Sequence, residues 1–354
     1  MNFTITVIFS FTGTIAYIYG FVVSVNQLRK EFNYRFYWFS AMAWFFSTVY
    51  FILMGVAIIL LSVEVVRVAF IIGLLSILFV NLKADTLKRE QVEPFKLAAF
   101  LVLFVLFTIS MYVVPNAMLF SPDLFGGESP SFNPYVGLLG ITASGIAFGY
   151  YCHCTFLVNK RAPIALKRFS RLYFAGTFLC TAGIVSLSSM SMDFYFILVS
   201  IGAPMMAYAY SREPKLLFVL PFTAIRLTVL ETAGGIPLFT HTWNRQEKLA
   251  DENLFSGFLQ AISEFLQESL QSGAMQEIRV AEAVILTQRS PDYPVACVLV
   301  ATRPTRSLRD GLKSFSDRFC GEFNACFVTL NDTSQFNEAE KLVTACFPHV
   351  PVYD

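Results

Sequence analysis

The chain has 354 residues, 55% of them apolar and 38 of them phenylalanine, and its mean hydropathy is positive, which is too oily for one water-soluble globule and indicates a membrane protein. Its net charge is only +1, but Lys and Arg outnumber Asp and Glu by 16 to 9 before Glu231 and are outnumbered 10 to 16 from there on. A basic membrane part followed by an acidic, water-facing part is implied, and with no basic stripe nucleic acid is excluded as a partner.

Crossing the hydrocarbon takes about 20 apolar residues at ~1.5 Å each. Seven stretches qualify, at 3–25, 36–61, 66–82, 97–119, 134–158, 172–190 and 193–210. The first lacks the positively charged leader of a signal peptide and is longer than a signal core, so it reads as a retained span. Cations gather in alternate connections: Arg29, Lys30 and Arg35 in the first, Lys83, Lys88, Arg89 and Lys96 in the third, Lys160, Arg161, Lys167, Arg168 and Arg171 in the fifth. By the positive-inside rule these loops are cytoplasmic, the N-terminus is extracytoplasmic, and the chain after Tyr210 is cytoplasmic. The expectation is a multi-pass protein of the cell membrane. Residues 120–133, rich in Gly, Pro and Ser, make the one sizeable outer connection.

Ionisable side chains inside a span are costly and mark function. Here only His153 falls at mid-depth, while Glu64, Arg67, Asp85 and Asp193 fall at span ends that reach water. Proton pumps, ion-coupled transporters and voltage sensors are therefore disfavoured, and Lys215 lies beyond the seventh stretch, so a retinal Schiff base has no attachment site there. Cys152, His153 and Cys154 resemble metal ligands, but about 100° per residue turns the two thiols roughly 200° apart, so closing on one ion needs ligands from other spans. A buried polar contact for His153 is the alternative. Gly137, Gly140, Ser144, Gly145 and Gly149 allow close helix approach. Tyr17, Trp38, Trp44, Tyr50 and Tyr112 suit either a pocket for a small apolar ligand or anchoring at the membrane interface. The seven cysteines form no CxxC and read as reduced thiols.

Residues 212–221 form a short apolar linker that holds the following domain, 222–354, near the bilayer, and residues 1–211 form the membrane domain. Alternation over 224–231, a Gly234-Gly235 turn and alternation over 236–243 predict a β-hairpin. A helix over 251–270 follows, N-capped by Asp251. Strands are expected over 277–288, broken near Ala281, and over 295–302, then helices over 307–319 and 337–347. On the helix over 251–270, the apolar residues Leu254, Phe255, Phe258, Leu259, Ile262, Phe265, Leu266 and Leu270 cover about half the circumference, wider than the ~100° that one core face needs. Phe255, Leu259, Leu266 and Leu270 are the candidate partner interface; coverage by a later helix is the alternative.

The run Ile225-Arg226-Leu227-Thr228-Val229-Leu230, then Gly235-Ile236-Pro237-Leu238-Phe239, then 252–262 resembles the longin-like family, kin of roadblock domains. The seven-span half resembles the N-terminal sensor region of some histidine kinases. The first resemblance implies a five-stranded antiparallel sheet with flanking helices, an α/β platform for dimerisation or for small GTPases, without enzymatic activity. Trafficking longins lead their chains, whereas this domain ends its chain, which disfavours a vesicle-fusion role. No phosphate loop, kinase or hydrolase signature occurs, and His241 and His349 lack a phosphotransfer context. The expected function is a non-enzymatic membrane receptor or adaptor without cofactor, coupling a sensor bundle to a protein-interaction domain. A membrane-anchored scaffold with a purely structural bundle, and an intramembrane enzyme or small-molecule transporter, are the alternatives.

Overall fold

The structure, a computed structural model, describes residues 5–30, 35–89, 92–122, 128–189, 192–220, 222–232, 236–243, 276–279, 283–328, 333–348 and 350–352. It divides into two compact units, Met1–Leu217 and Phe218–Asp354, and the division falls inside the stretch read as a linker.

The first unit is helical: α1 (Ile5–Lys30), α2 (Arg35–Leu60), α3 (Val63–Arg89), α4 (Pro94–Val113), α5 (Pro134–Arg161), α6 (Lys167–Ser189) and α7 (Met192–Arg212). Six of them, α1 to α5 and α7, are long and apolar enough to cross a membrane. Neighbours in sequence pack as neighbours in space, and α1 closes against α7. Their seams are tied by hydroxyls, as expected where apolar side chains gain little over lipid. Ser10 Oγ donates to the Phe51 carbonyl at 2.7 Å, Ser200 Oγ to that of Phe9 at 2.9 Å, and Ser47 and Ser76 share a 2.6 Å bond.

Helix ends follow local chemistry. Pro94 and Pro134 occupy first-turn positions, where a missing N–H costs nothing, and the Asn133 side chain caps α5 by accepting from the Tyr135 N–H at 3.2 Å. The α4 helix ends at Val113, short of the expected 119, because Pro115 and the left-handed Asn116 (φ 51°) break it. The apolar residues beyond run instead into a hairpin, β1 (Met118–Pro122) with β2 (Glu128–Phe132), in the stretch expected to be a loop. This hairpin marks one end of the bundle; the C-terminal ends of α1, α3 and α5 mark the other.

A larger correction concerns α3. It continues past residue 82 to Arg89, so Lys83 lies inside the helix rather than in the connection, and Asp85 does not reach water: the two residues are each 4% exposed. Asp85 pairs with Lys96 and accepts from the Glu93 N–H at 3.4 Å, pinning the turn into α4. Glu64 and Arg67 do form an accessible pair, at 2.6 Å.

The second unit is built on a five-stranded antiparallel sheet of β3 (Ala224–Glu231), β4 (Pro237–Thr242), β5 (Gln276–Arg279), β6 (Val284–Arg289) and β7 (Val295–Ala301), in the order β4-β3-β7-β6-β5. The segment read as one broken strand is two strands, β5 and β6, folded on each other with Ile278 opposite Ile285. Strand β7 is buried at every position and β3 at all but its last, as strands covered on both faces must be.

Two helices follow, α8 (Arg306–Glu322) and α9 (Ala339–Cys346). Thr305 caps α8, and Leu308, Leu312, Phe315 and Phe319 recur every three or four residues to give one buried face. Phe315 stacks on Phe239 of β4. Trp243 meets Phe347 beyond α9, and His241 Nδ1 contacts a Glu340 carboxylate oxygen at 2.9 Å. On the sheet, Ile225, Leu230, Ile285, Val298 and Val300 form a further buried cluster.

Candidate functional site

Within the first unit the helices do not close completely on one another. A cavity of about 90 Å³ lies among them, room for about three waters or a small apolar molecule. Every helix contributes: Tyr17 from α1, Ser47, Tyr50 and Phe51 from α2, Phe70, Gly73 and Ser76 from α3, Phe107 from α4, Gly140, Ser144 and Phe148 from α5, Ile184 from α6 and Tyr195 from α7. Its lining contains no acid, lysine, arginine or histidine.

The local sequence explains the opening. Gly73 and Gly140 withhold side chains where α3 and α5 pass bulky rings: a Cβ on Gly140 would stand 2.6 Å from the Phe107 ring, and one on Gly73 3.0 Å from that of Tyr50. The rings are thereby held at the wall. Tyr17 packs on Phe51 at 4.9 Å and Tyr50 on Tyr195 at 6.4 Å, while the hydroxyls of Ser76 and Ser144 are occupied with the carbonyls of Ala43 and Gly140. What remains is an aromatic wall with a few neutral polar atoms, the pattern of a small-molecule site.

Phe132 ties the hairpin to this cavity. It lines the wall, packs edge-on to Phe70 at 4.8 Å and lies 6.3 Å from Phe107, so β2 is fixed to α3 and α4 through one ring.

Of the aromatics singled out in the sequence, Tyr17 and Tyr50 line the cavity, whereas Trp38 and Tyr112 are exposed on the bundle surface. Trp44 is buried and packs on Tyr17 at 5.2 Å. The Cys152-His153-Cys154 run is not gathered into one site: Cys154 is buried with its thiol 3.9 Å from the Ala84 carbonyl, and His153 is on the exposed side of α5. No group of three potential metal ligands occurs among the described residues. Phe255, Leu259, Leu266 and Leu270 lie outside the described residues.

The residue that sequence reasoning missed is Lys83. Its ammonium nitrogen sits inside a box of four rings, 5.4 Å from the centroid of Phe36, 5.6 Å from Trp44, 5.2 Å from Tyr151 and 5.9 Å from Tyr173. Each ring face stabilises a cation by about 0.5–2 kcal/mol, while taking an ammonium out of water costs several. Only the buried lysine itself signalled this, because the rings come from α2, α5 and α6.

Membrane-length helices around a shared cavity, followed by an antiparallel sheet unit, define a multi-pass helical membrane protein with an appended α/β unit. No protein-family model matches the chain, and no curated protein matches it.

Proposed function

We propose that the protein is a non-enzymatic membrane receptor or adaptor. The bundle binds a small, uncharged, apolar ligand in its cavity, and the second unit passes the event to a cytosolic protein, such as a small GTPase, or to a second copy. The cavity carries this reading, since side chains from all seven helices and the hairpin converge on it, and a bundle serving only as an anchor has no need of such a space. In this reading α6 is a seventh membrane-crossing helix, supported by its packing between α5 and α7 and by the lack of any Asp, Glu, Lys, Arg or His over 172–189. The hairpin end faces outward and the cation-bearing turns face the cytoplasm. The second unit is longin-like, which its five-stranded antiparallel sheet with following helices supports.

The test is ligand stabilisation of the full-length protein in lipid nanodiscs, with toluene as an apolar probe. A ligand that binds the folded state raises the unfolding temperature by mass action. Gly137 lines the cavity with its nearest neighbour at 3.4 Å, so Gly137→Leu fills space without a severe clash. The native protein is expected to be stabilised by toluene and the Gly137→Leu protein not. An equal response in both sinks the cavity as a site. Pull-down of small GTPases by the full chain, with and without toluene, tests the relay.

A further inference from the structure

We propose that Lys83, Trp44 and the paired hydroxyls of Tyr151 and Tyr173 form a second binding site in the bundle, for a carboxylate. Three observations converge. Lys83 is 4% exposed, and among the described residues neither a carboxylate nor a hydrogen-bond acceptor is paired with its ammonium. The nearest acid in sequence, Asp85, is committed to Lys96 and to the Glu93 N–H. The ring faces around the ammonium moderate its charge but bring no negative charge to balance it.

The second observation is Trp44. Its indole Nε1 is buried and has no hydrogen-bond partner, and the same ring lies 5.6 Å from the Lys83 nitrogen. An indole N–H only donates, so it too lacks an acceptor. The third is the tyrosine pair: Tyr151 and Tyr173 hydroxyls share one 2.5 Å bond, which uses one of their two protons and leaves the other to be given away. A cation and two neutral donors without an acceptor are the complement of an acceptor-only group.

Charge and surroundings narrow the class. One lysine balances a monoanion, not a dianionic phosphate. The neighbours of the ammonium are rings, which suit an apolar chain better than a strongly hydrated inorganic ion. A carboxylate on an apolar chain meets both conditions and gives the ammonium a short, charge-assisted bond. The site is distinct from the cavity, whose lining includes none of these four residues. Ser76, which does line the cavity, stands seven residues before Lys83 on the same face of α3, about 10 Å along the axis.

The experiment follows the unfolding midpoint of the full-length protein in nanodiscs as hexanoate, hexan-1-ol or sodium chloride is added. Hexanoate is expected to raise the midpoint saturably, while the alcohol and chloride at equal concentration do not. Lys83→Met, which keeps an unbranched apolar chain, is expected to abolish the response, and Trp44→Phe, which keeps a ring but loses the donor, to weaken apparent affinity about tenfold. An equal rise with hexan-1-ol, a rise with chloride alone, or a native response in Lys83→Met overturns the proposal. Should Lys83→Met fail to fold, Trp44→Phe and Tyr173→Phe carry the test, and unchanged hexanoate affinity in both overturns it. Gly137→Leu is expected to keep the hexanoate response while losing that to toluene, so the two sites fail or stand separately.

Discussion

Leu61 closes the turn between α2 and α3 with φ of 50°, a left-handed backbone that crowds a side chain. Its side chain is 43% exposed, so little packing holds it there. Replacement by glycine is expected to raise stability by roughly 1 kcal/mol, read as a higher unfolding temperature of the purified protein. In the second unit, burial pushes the Cys297 thiol up to about 12, against a smaller opposing effect of its hydrogen bond to Ser316. The thiolate is the reactive form, so Cys297 is expected to stay unmodified by iodoacetamide at pH 8 until the protein unfolds. Peptide mass mapping with and without denaturant checks this. Lys83 shows at the same scale what was hard to read: as one cation near the end of an apolar run it looked like a loop residue, because nothing local announces rings supplied by three other helices.

Between elements, α6 and α7 approach backbone to backbone at a pair of glycines. A Cβ on Gly176 would stand 2.6 Å from the Gly202 carbonyl oxygen, and one on Gly202 would meet the Gly176 carbonyl oxygen at 2.6 Å. Gly176→Ala or Gly202→Ala must push the helices apart, at an expected cost of about 1–3 kcal/mol seen as a lowered unfolding temperature. Gly145 and Gly149 on α5 have nothing within 4 Å of the same position, so alanine there is expected to be tolerated and to stabilise slightly, by up to ~1 kcal/mol. Glu277 on β5 is held below the usual carboxylate range by hydrogen bonds from Arg279 and then Arg309. A depressed folded value means stabilisation that is present above the ordinary range and lost as the pH falls through the folded one. Glu277→Gln should therefore unfold more easily than the native protein at pH 7, the difference closing on acidification. Element periodicity was the legible part: the β3–β4 hairpin follows from strict alternation and α8 from its apolar spacing. The break near Ala281 was legible, but not that β5 and β6 pair with each other across it, since the sequence between them has no Gly, Pro or Asn to announce a reversal. Hydropathy likewise carried α4 into β1, because apolar residues look alike in helix and strand until Pro115 and Asn116 are seen to break the chain.

For the whole molecule, strand β3 lies beside β7, with Leu230 opposite Ala296. At a synthesis rate of about 5–20 residues per second, β7 follows β3 out of the ribosome by roughly 3–13 seconds. Over that interval β3 pairs only with its local neighbour β4, and its other side is an unclosed edge rich in Ile, Leu and Val. The bundle precedes this strand in the chain, so a nascent protein already seated in the bilayer presents an adhesive ribbon until β7 arrives. Neighbouring ribosomes on one message thus carry ribbons of identical sequence side by side, and the spacing between them sets the chance that one chain's β3 captures another's β7.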